Sequence, residues 1–182
     1  GVKLDQNIFI TTKLEEAVAG AKVIIGAIPF KALESLMQEL KDLVYMEQIF
    51  CSTTKGIDDK SLKVTTEIIE ENLICKVAAL SGPSFAIDLV NKTDIAFMLG
   101  SKDKEAIKEI KELFKFPNIK IEETEDVIGI QLAGAVKNAI SIGAGILESQ
   151  GASESTKAKY LTDGLINMSF VLIKRQKRLY LL

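Results

Sequence analysis

Apolar runs alternate with amphipathic runs along the first two-thirds of the chain, and this alternation constrains the fold more than any other feature. Residues 22–27 form a nearly continuous apolar run, which predicts a strand buried on both faces. Residues 30–43 place leucine and methionine side chains at helical spacing, which predicts an amphipathic helix. Strands alternating with helices indicate a parallel or mixed sheet, with right-handed crossovers and helices on both faces.

The same pattern continues before the character of the chain changes. Further strands are predicted at 48–52, 77–80, 95–99 and 119–121, and further helices at 58–71 and 104–114. Residues 124–148 contain no proline and predict one long helix rich in small residues, followed by a helix from Ser155 through Phe170. We therefore predict a doubly wound α/β domain at residues 1–123 and the start of an all-α domain at residues 124–182.

Composition excludes several classes of function. Lys and Arg number 23 against 25 Asp and Glu, so the chain lacks the overall positive charge typical of nucleic-acid binding. There is no histidine, and Cys51 and Cys75 lack metal-type spacing, which argues against metal sites and histidine-based catalysis. No apolar run approaches the length of a membrane span and no leader is apparent, so the sequence predicts a cytoplasmic protein without a membrane span.

The segment Ser52-Thr-Thr-Lys-Gly56 follows a predicted buried strand. Ligands of open α/β sheets bind outside the carboxyl ends of the strands, so Lys55 would point its ammonium into the crevice. Gly56 would let the chain turn sharply and approach a ligand closely. Taken alone, this segment is better explained as a surface lysine in a turn.

The segment Ser81-Gly-Pro-Ser-Phe-Ala86 follows the next predicted strand and opens a helix. Pro83 near the helix start and Ser84 as a cap give it a purely structural explanation. Alternatively, exposed N–H groups at Gly82 and Ser84 would bind an anion or a hydroxyl.

The long predicted helix carries an isolated pair of polar residues, Lys137 and Asn138, between Gln131 and Glu148. Its glycines each cost roughly 1 kcal/mol relative to alanine, so the helix should press against another backbone or a ligand. Desolvation lowers the pKa of a lysine, which suits a general acid or base at neutral pH. A lysine that reaches outward to solvent from a tightly packed helix is the alternative.

In this order and spacing, Thr54-Lys-Gly56, the 81–86 segment and Ile128-Gly-Ile-Gln-Leu-Ala-Gly-Ala-Val-Lys-Asn138 resemble the bacterial NAD(P)-dependent glycerol-3-phosphate dehydrogenase family. The resemblance extends from Gly1 to about Ser169. It implies a Rossmann-type cofactor domain, without its first βαβ elements, followed by a helical domain. It also implies interconversion of sn-glycerol 3-phosphate and dihydroxyacetone phosphate, which supplies a precursor of glycerophospholipids.

The resemblance implies roles for individual residues. Lys137 would be the general base that takes the hydroxyl proton as hydride leaves C2, and the acid in the reverse direction. Lys55 would bind the phosphate substrate, polarise its oxygen and contact the cofactor. The remaining implied contacts are Gly82, Ser84 and Asn138 to the substrate, and Pro29, Phe30 and Ala86 to NAD or NADP.

The chain departs from the family at several positions. The family's glycine-rich cofactor loop would precede Gly1, and its Arg-Asn pair for phosphate and cofactor would follow Leu182, so the chain resembles the enzyme truncated at both ends. Asp163 stands where the family usually has Arg. A working oxidoreductase, a non-catalytic remnant and a related two-domain hydroxyacid dehydrogenase all stay open. Self-association would relieve an unpaired sheet edge, so a homodimer is a further expectation.

Overall fold

The computed structural model of the chain describes residues 4–83 and 86–179, with side chains described through Ile173. Among these residues, five strands form one sheet in the order β1-β2-β3-β4-β5. The strands are Val23–Gly26 (β1), Ile49–Ser52 (β2), Lys76–Ser81 (β3), Ile95–Ser101 (β4) and Ile119–Thr124 (β5). The α-helices are Leu14–Val18 (α1), Leu33–Leu40 (α2), Thr65–Asn72 (α3), Ala86–Val90 (α4), Lys104–Leu113 (α5), Val127–Ser149 (α6) and Glu154–Leu179 (α7), and a short 3₁₀ helix spans Phe30–Ala32.

The sheet is mixed, which agrees with the predicted doubly wound α/β class. The pairs β1–β2, β2–β3 and β4–β5 are parallel, whereas β3 and β4 are antiparallel. Because β4 runs antiparallel to β3, it starts at the end of the sheet where β3 stops. The four strands predicted after residue 45 are all confirmed.

Helices cover both faces of the sheet, as predicted. The side chains of β2 point alternately to the two faces and pack against different helices on each. Phe50 packs on one face with buried side chains of α2 and α3, such as Met37 and Ile69. Ile49 and Cys51 point to the other face, where they pack with buried side chains of β4 and α5. Because successive residues of a strand face opposite sides, one short apolar strand contributes to both cores.

Two predictions about local structure were wrong. The first strand is only partly buried, and the side chain of Ile25 is 45% exposed, because β1 lies at the edge of the described sheet. The helix predicted over residues 58–71 begins only at Thr65. Residues 59–61 form a turn instead, because the carboxylate of Asp58 accepts hydrogen bonds from the backbone and the hydroxyl of Ser61 at 2.6 and 2.7 Å. Such local side-chain bonds compete with helix formation.

The long helix α6 runs from the sheet into the helical part of the chain. Its first half is buried, and a Cβ at Gly100 of β4 would lie 2.9 Å from Ile130 Cδ1 and 3.1 Å from Val127 Cα. The missing side chain at Gly100 therefore lets α6 lie directly on the sheet.

Contrary to the sequence-based expectation, α6 is long and apolar enough to cross a membrane by length and composition alone. About a third of its most apolar stretch is buried within the protein. Core helices of globular proteins meet the same criterion, so the finding is weak support for a membrane span.

Candidate active site

The carboxyl ends of β1, β2 and β3 lie side by side, because these three strands are parallel neighbours. This row of strand ends is called the carboxyl edge, or simply the sheet edge, below. The hydroxyl of Thr54, after β2, donates a hydrogen bond to the carbonyl of Ile28, after β1, at 2.9 Å. The ammonium of Lys55 donates to the carbonyl of Gly82, after β3, at 3.3 Å. These bonds tie the three segments together and place Lys55 among them, as predicted for the crevice of an open α/β sheet.

Gly56 plays a different part from the one predicted. Its φ is not positive, and the space beside it is filled by Phe30, whose ring would lie 2.3 Å from a Cβ at that position. The close approach that Gly56 permits is therefore to an aromatic side chain of this chain. Phe30 and Lys55 consequently lie at the same point of the sheet edge.

Helix α6 reaches this edge at Gly134. A Cβ there would come within 2.9 Å of the Ser81 hydroxyl oxygen and 3.9 Å of Lys55 Cγ. The small residue thus allows α6 to approach the end of β3 and the stem of Lys55. Lys137 follows about one helical turn later and is half-buried rather than fully buried.

The two lysines interact electrostatically. The pKa of Lys55 is lowered, first by partial desolvation of its ammonium, although much of the side chain is exposed, and second by the positive charge of Lys137. Like charges disfavour each other's charged form at close range. The lowered pKa of Lys55 was not predicted from the sequence.

For the other predicted site residues, the structure gives the degree of burial. Gly82 is half-buried, with the space for a Cβ closed by the Ala96 carbonyl oxygen at 2.6 Å. Pro29, Ala86 and Asn138 are exposed. Ser84, the remaining substrate-binding prediction, lies outside the described residues, so its role stays a prediction.

Sequence reasoning missed Gln131, which is buried on the side of α6 that faces α3. Its side-chain oxygen accepts hydrogen bonds from the Thr65 hydroxyl at 2.7 Å and from the Thr66 backbone at 3.0 Å. The sequence did offer one signal for Gln131, because it is the single polar side chain in an apolar helix segment and lies six residues before Lys137. Its partners lie far away in sequence and gave no signal of their own.

An open cavity of about 640 Å³ lies at the opposite end of the sheet from Lys55. Its lining mixes Lys102 and Lys104 with Glu123 and Glu125. These opposite charges largely compensate one another, so the chemistry favours the cationic end of the sheet at Lys55 as the candidate site.

The fit of Phe30 over Gly56 gives a direct prediction for stability. Gly56→Ala should lower the free energy of unfolding by about 1–3 kcal/mol, because the new methyl group overlaps the Phe30 ring and overpacking is costly. Gly145→Ala in the exposed part of α6, where a Cβ meets nothing within 4 Å, should instead raise it by about 0.5–1 kcal/mol. Urea unfolding measures both changes, and an equal effect of the two substitutions contradicts the described packing of Phe30.

Matches to protein-family models agree with this arrangement. Residues 1–107 match the model described as NAD-dependent glycerol-3-phosphate dehydrogenase N-terminus, and residues 126–179 match the model of the C-terminus. The chain belongs to this family. The resemblance seen in the motifs around Lys55 and Lys137 is thereby confirmed.

Relatives in the glycerol-3-phosphate dehydrogenase family are similar over most of the chain. It is 34% identical over 168 residues to glycerol-3-phosphate dehydrogenase (NAD(P)+) of Thermoanaerobacter sp. strain X514, covering 92% of this chain and 51% of that protein. It is 33% identical over 175 residues to the chloroplastic NAD(+) enzyme of Oryza sativa subsp. japonica, covering 94% of this chain and 40% of that protein. The chain spans about half the length of the curated bacterial relatives it matches.

Solved structures of family members share the fold. Glycerol-3-phosphate dehydrogenase of Dunaliella salina aligns with a TM-score of 0.88 at 26% identity, over 94% of this chain and 30% of that one. The enzyme of Coxiella burnetii aligns at 0.81 and 25% identity, over 86% of this chain and 48% of that one. The predicted Rossmann-type sheet followed by helices is thus confirmed. A pyrroline-5-carboxylate reductase of Coxiella burnetii, at 15% identity and a TM-score of 0.52, shares the fold alone.

Proposed function

We propose that this chain carries out the NAD(P)-dependent interconversion of sn-glycerol 3-phosphate and dihydroxyacetone phosphate, a step that supplies glycerophospholipid precursors. The observation that supports this most strongly is that α6 approaches the stem of Lys55 at Gly134, and that the charge of Lys137 on the same helix lowers the pKa of Lys55. Two lysines close enough for one charge to act on the other suit a substrate that carries a phosphate and develops negative charge on its oxygen. The names of the family relatives point to the same reaction.

Each lysine has a distinct role in the proposed reaction. The neutral amine of Lys137 takes the proton of the C2 hydroxyl while the hydride leaves C2, and its ammonium returns a proton to the carbonyl oxygen in the reverse direction. The ammonium of Lys55 donates a hydrogen bond to the same oxygen and stabilises the charge that develops there. Gly82, Ser84 and Asn138 complete the substrate contacts in this proposal.

The residues at the sheet edge fit the nicotinamide end of NAD or NADP. Phe30, held against Gly56, presents an aromatic surface beside Lys55, and Pro29 is exposed next to it. Ala86 lies exposed at the start of α4 and completes the proposed cofactor contacts. When bound, the oxidised nicotinamide accepts the hydride. The sequence contains no G-x-G-x-x-G, so pyrophosphate contacts are not assigned to residues of this chain.

The test is reduction of dihydroxyacetone phosphate by the purified chain with NADH or NADPH, followed by cofactor absorbance. The Lys55→Met variant, which keeps the unbranched apolar stem but removes the ammonium, should lose about 10²–10³-fold in kcat/KM, because it lacks one electrostatic donor to the oxygen. Lys60→Met, an exposed lysine nearby in sequence, is the matched control and should retain activity.

Dihydroxyacetone serves as the matched substrate without the phosphate. Faster turnover of this compound than of its phosphate would contradict the proposed substrate. If the wild-type chain unfolds cooperatively but turns over neither compound, it is a folded protein without the family's chemistry, and the proposal is wrong.

We further propose a boundary between the sheet domain, residues 1–123, and the helical domain, residues 124–182, together with a homodimer and a cytoplasmic location. The boundary is supported by the start of α6 at Val127, after the last strand.

The homodimer is supported by the exposed side chain of Ile25 on the edge strand β1. Light scattering after gel filtration gives the mass in solution, and a monomeric mass would contradict the dimer.

A further inference from the structure

The buried amide of Gln131 has every hydrogen-bonding position in use. Its oxygen accepts from the Thr65 hydroxyl and the Thr66 backbone, as described above. Its nitrogen donates to the Thr66 hydroxyl at 2.8 Å and to the Val127 carbonyl at 2.7 Å. An amide can accept two hydrogen bonds and donate two, so Gln131 is fully satisfied in this one orientation. A buried and fully bonded group of this kind fixes a single arrangement of the elements it joins.

The hydrogen bonds continue from Gln131 to the segment that carries Lys55. Because the Thr65 hydroxyl donates to Gln131, it accepts from the hydroxyl of Ser52, at 2.9 Å. The oxygen of Ser52 in turn accepts from the backbone N–H of Thr54 at 3.3 Å, and Thr54 directly precedes Lys55. Ser52, Thr54 and Thr65 are all buried. An uninterrupted chain of hydrogen bonds therefore joins Gln131 in α6 to the backbone of Thr54, the residue before Lys55.

Gln131 and Lys137 lie on the same helix, with Gly134 between them. Apolar contacts of α6, such as those of Val127 and Ile130 with Gly100, tolerate rotation of the helix because they have no preferred direction. The hydrogen bonds of Gln131 to Thr65 and Thr66 do not tolerate such a rotation, because a hydrogen bond weakens steeply when its donor–hydrogen–acceptor angle departs from linear. A rotation by one residue, about 100° in an α-helix, would carry Lys137 away from Lys55.

We infer that Gln131 and Thr65 are positioning residues that hold Lys137 beside Lys55. The inference rests on the proposed function, because only that function gives a reason for keeping two positively charged lysines close together. The claim that the buried hydrogen bonds hold Lys137 near Lys55 can be tested even if the chain has no enzymatic activity.

The first test measures the pKa of Lys55 without any reaction. The rate at which Lys55 reacts with an amine-directed reagent is followed against pH, and the modified peptide is quantified by mass spectrometry. In Lys137→Ala the pKa of Lys55 should rise, because the neighbouring positive charge is gone. In Gln131→Met, which keeps the length of the side chain but loses its hydrogen bonds, the pKa should rise in the same direction.

A second variant and a control separate positioning from general destabilisation. Thr65→Val keeps the shape of a fully buried side chain, removes the hydroxyl and should also raise the pKa of Lys55. Ser101→Ala removes another buried hydrogen bond, from Ser101 to the Val77 carbonyl at 2.7 Å, at the far end of β4, and should leave it unchanged. An unchanged pKa in folded Gln131→Met or Thr65→Val, or in Lys137→Ala, overturns the inference.

The second test uses kinetics. Gln131→Met should lower kcat about 10- to 100-fold with a much smaller change in KM, because a displaced Lys137 impairs proton transfer more than binding. A rise in KM alone would overturn the inference. If the wild-type chain itself shows no turnover, the proposed function fails, while the labelling of Lys55 still decides whether Gln131 positions Lys137.

Discussion

Lys137→Ala should reduce kcat/KM for dihydroxyacetone phosphate by about 10²–10⁴-fold, the range that general acid–base catalysis contributes. The reason lies in the geometry, since Gly134 brings α6 against Ser81 and the stem of Lys55, and Lys137 follows one helical turn later. Steady-state rates of NADH and NADPH oxidation measure the loss.

Lys137→Arg separates the charge of this residue from its proton transfer. Arginine keeps the positive charge but cannot be deprotonated in proteins, so this variant should lose nearly as much activity as Lys137→Ala. Lys159→Ala, which removes an exposed lysine paired with Asp163 on α7, is the matched control and should stay near wild type. Full activity in Lys137→Arg would show that Lys137 acts only as a fixed charge.

Phe50→Ala should lower the free energy of unfolding by about 3–5 kcal/mol, as expected for removal of a large buried aromatic side chain. Phe50 is 1% exposed, and its ring fills the space where Gly26 has no side chain, with Cε1 2.6 Å from the position of a Cβ. The loss is large against the 5–15 kcal/mol typical of a domain. Urea unfolding should show a lower midpoint with an unchanged slope.

Phe116→Ala provides the control for Phe50→Ala. Phe116 is 57% exposed, so the same chemical change should alter the stability by no more than about 0.5 kcal/mol. Equal losses in the two variants would mean that Phe50 is not the centre of the core that the structure describes.

Much of the fold was predictable because its signals are local. The strand at Ile49–Ser52 and the helix at Lys104–Leu113 follow directly from hydrophobic runs and periodicity. The predicted helix at 58–71 failed in its first half because Asp58 and Ser61 form a turn that competes with the helix. Burial of the first strand was overestimated because periodicity does not show where the edge of a sheet lies.

The candidate site was predictable in part. Lys55 and Lys137 stood out because each lies in a short distinctive motif, and the two are close enough for the charge of one to lower the pKa of the other. Whether Gly56 faces a ligand or a side chain was not predictable, since the answer depends on Phe30, which lies in the 3₁₀ helix that follows β1.

The sequence by itself determined the family, the alternating α/β pattern and the two lysines, because these are properties of residues that are near one another along the chain. The tertiary structure alone decided that the pKa of Lys55 is lowered and that Gln131 bonds to Thr65, 66 residues away. The physical reason is that burial and hydrogen bonding depend on which segments meet when the sheet and α6 pack, and no local pattern encodes those pairs.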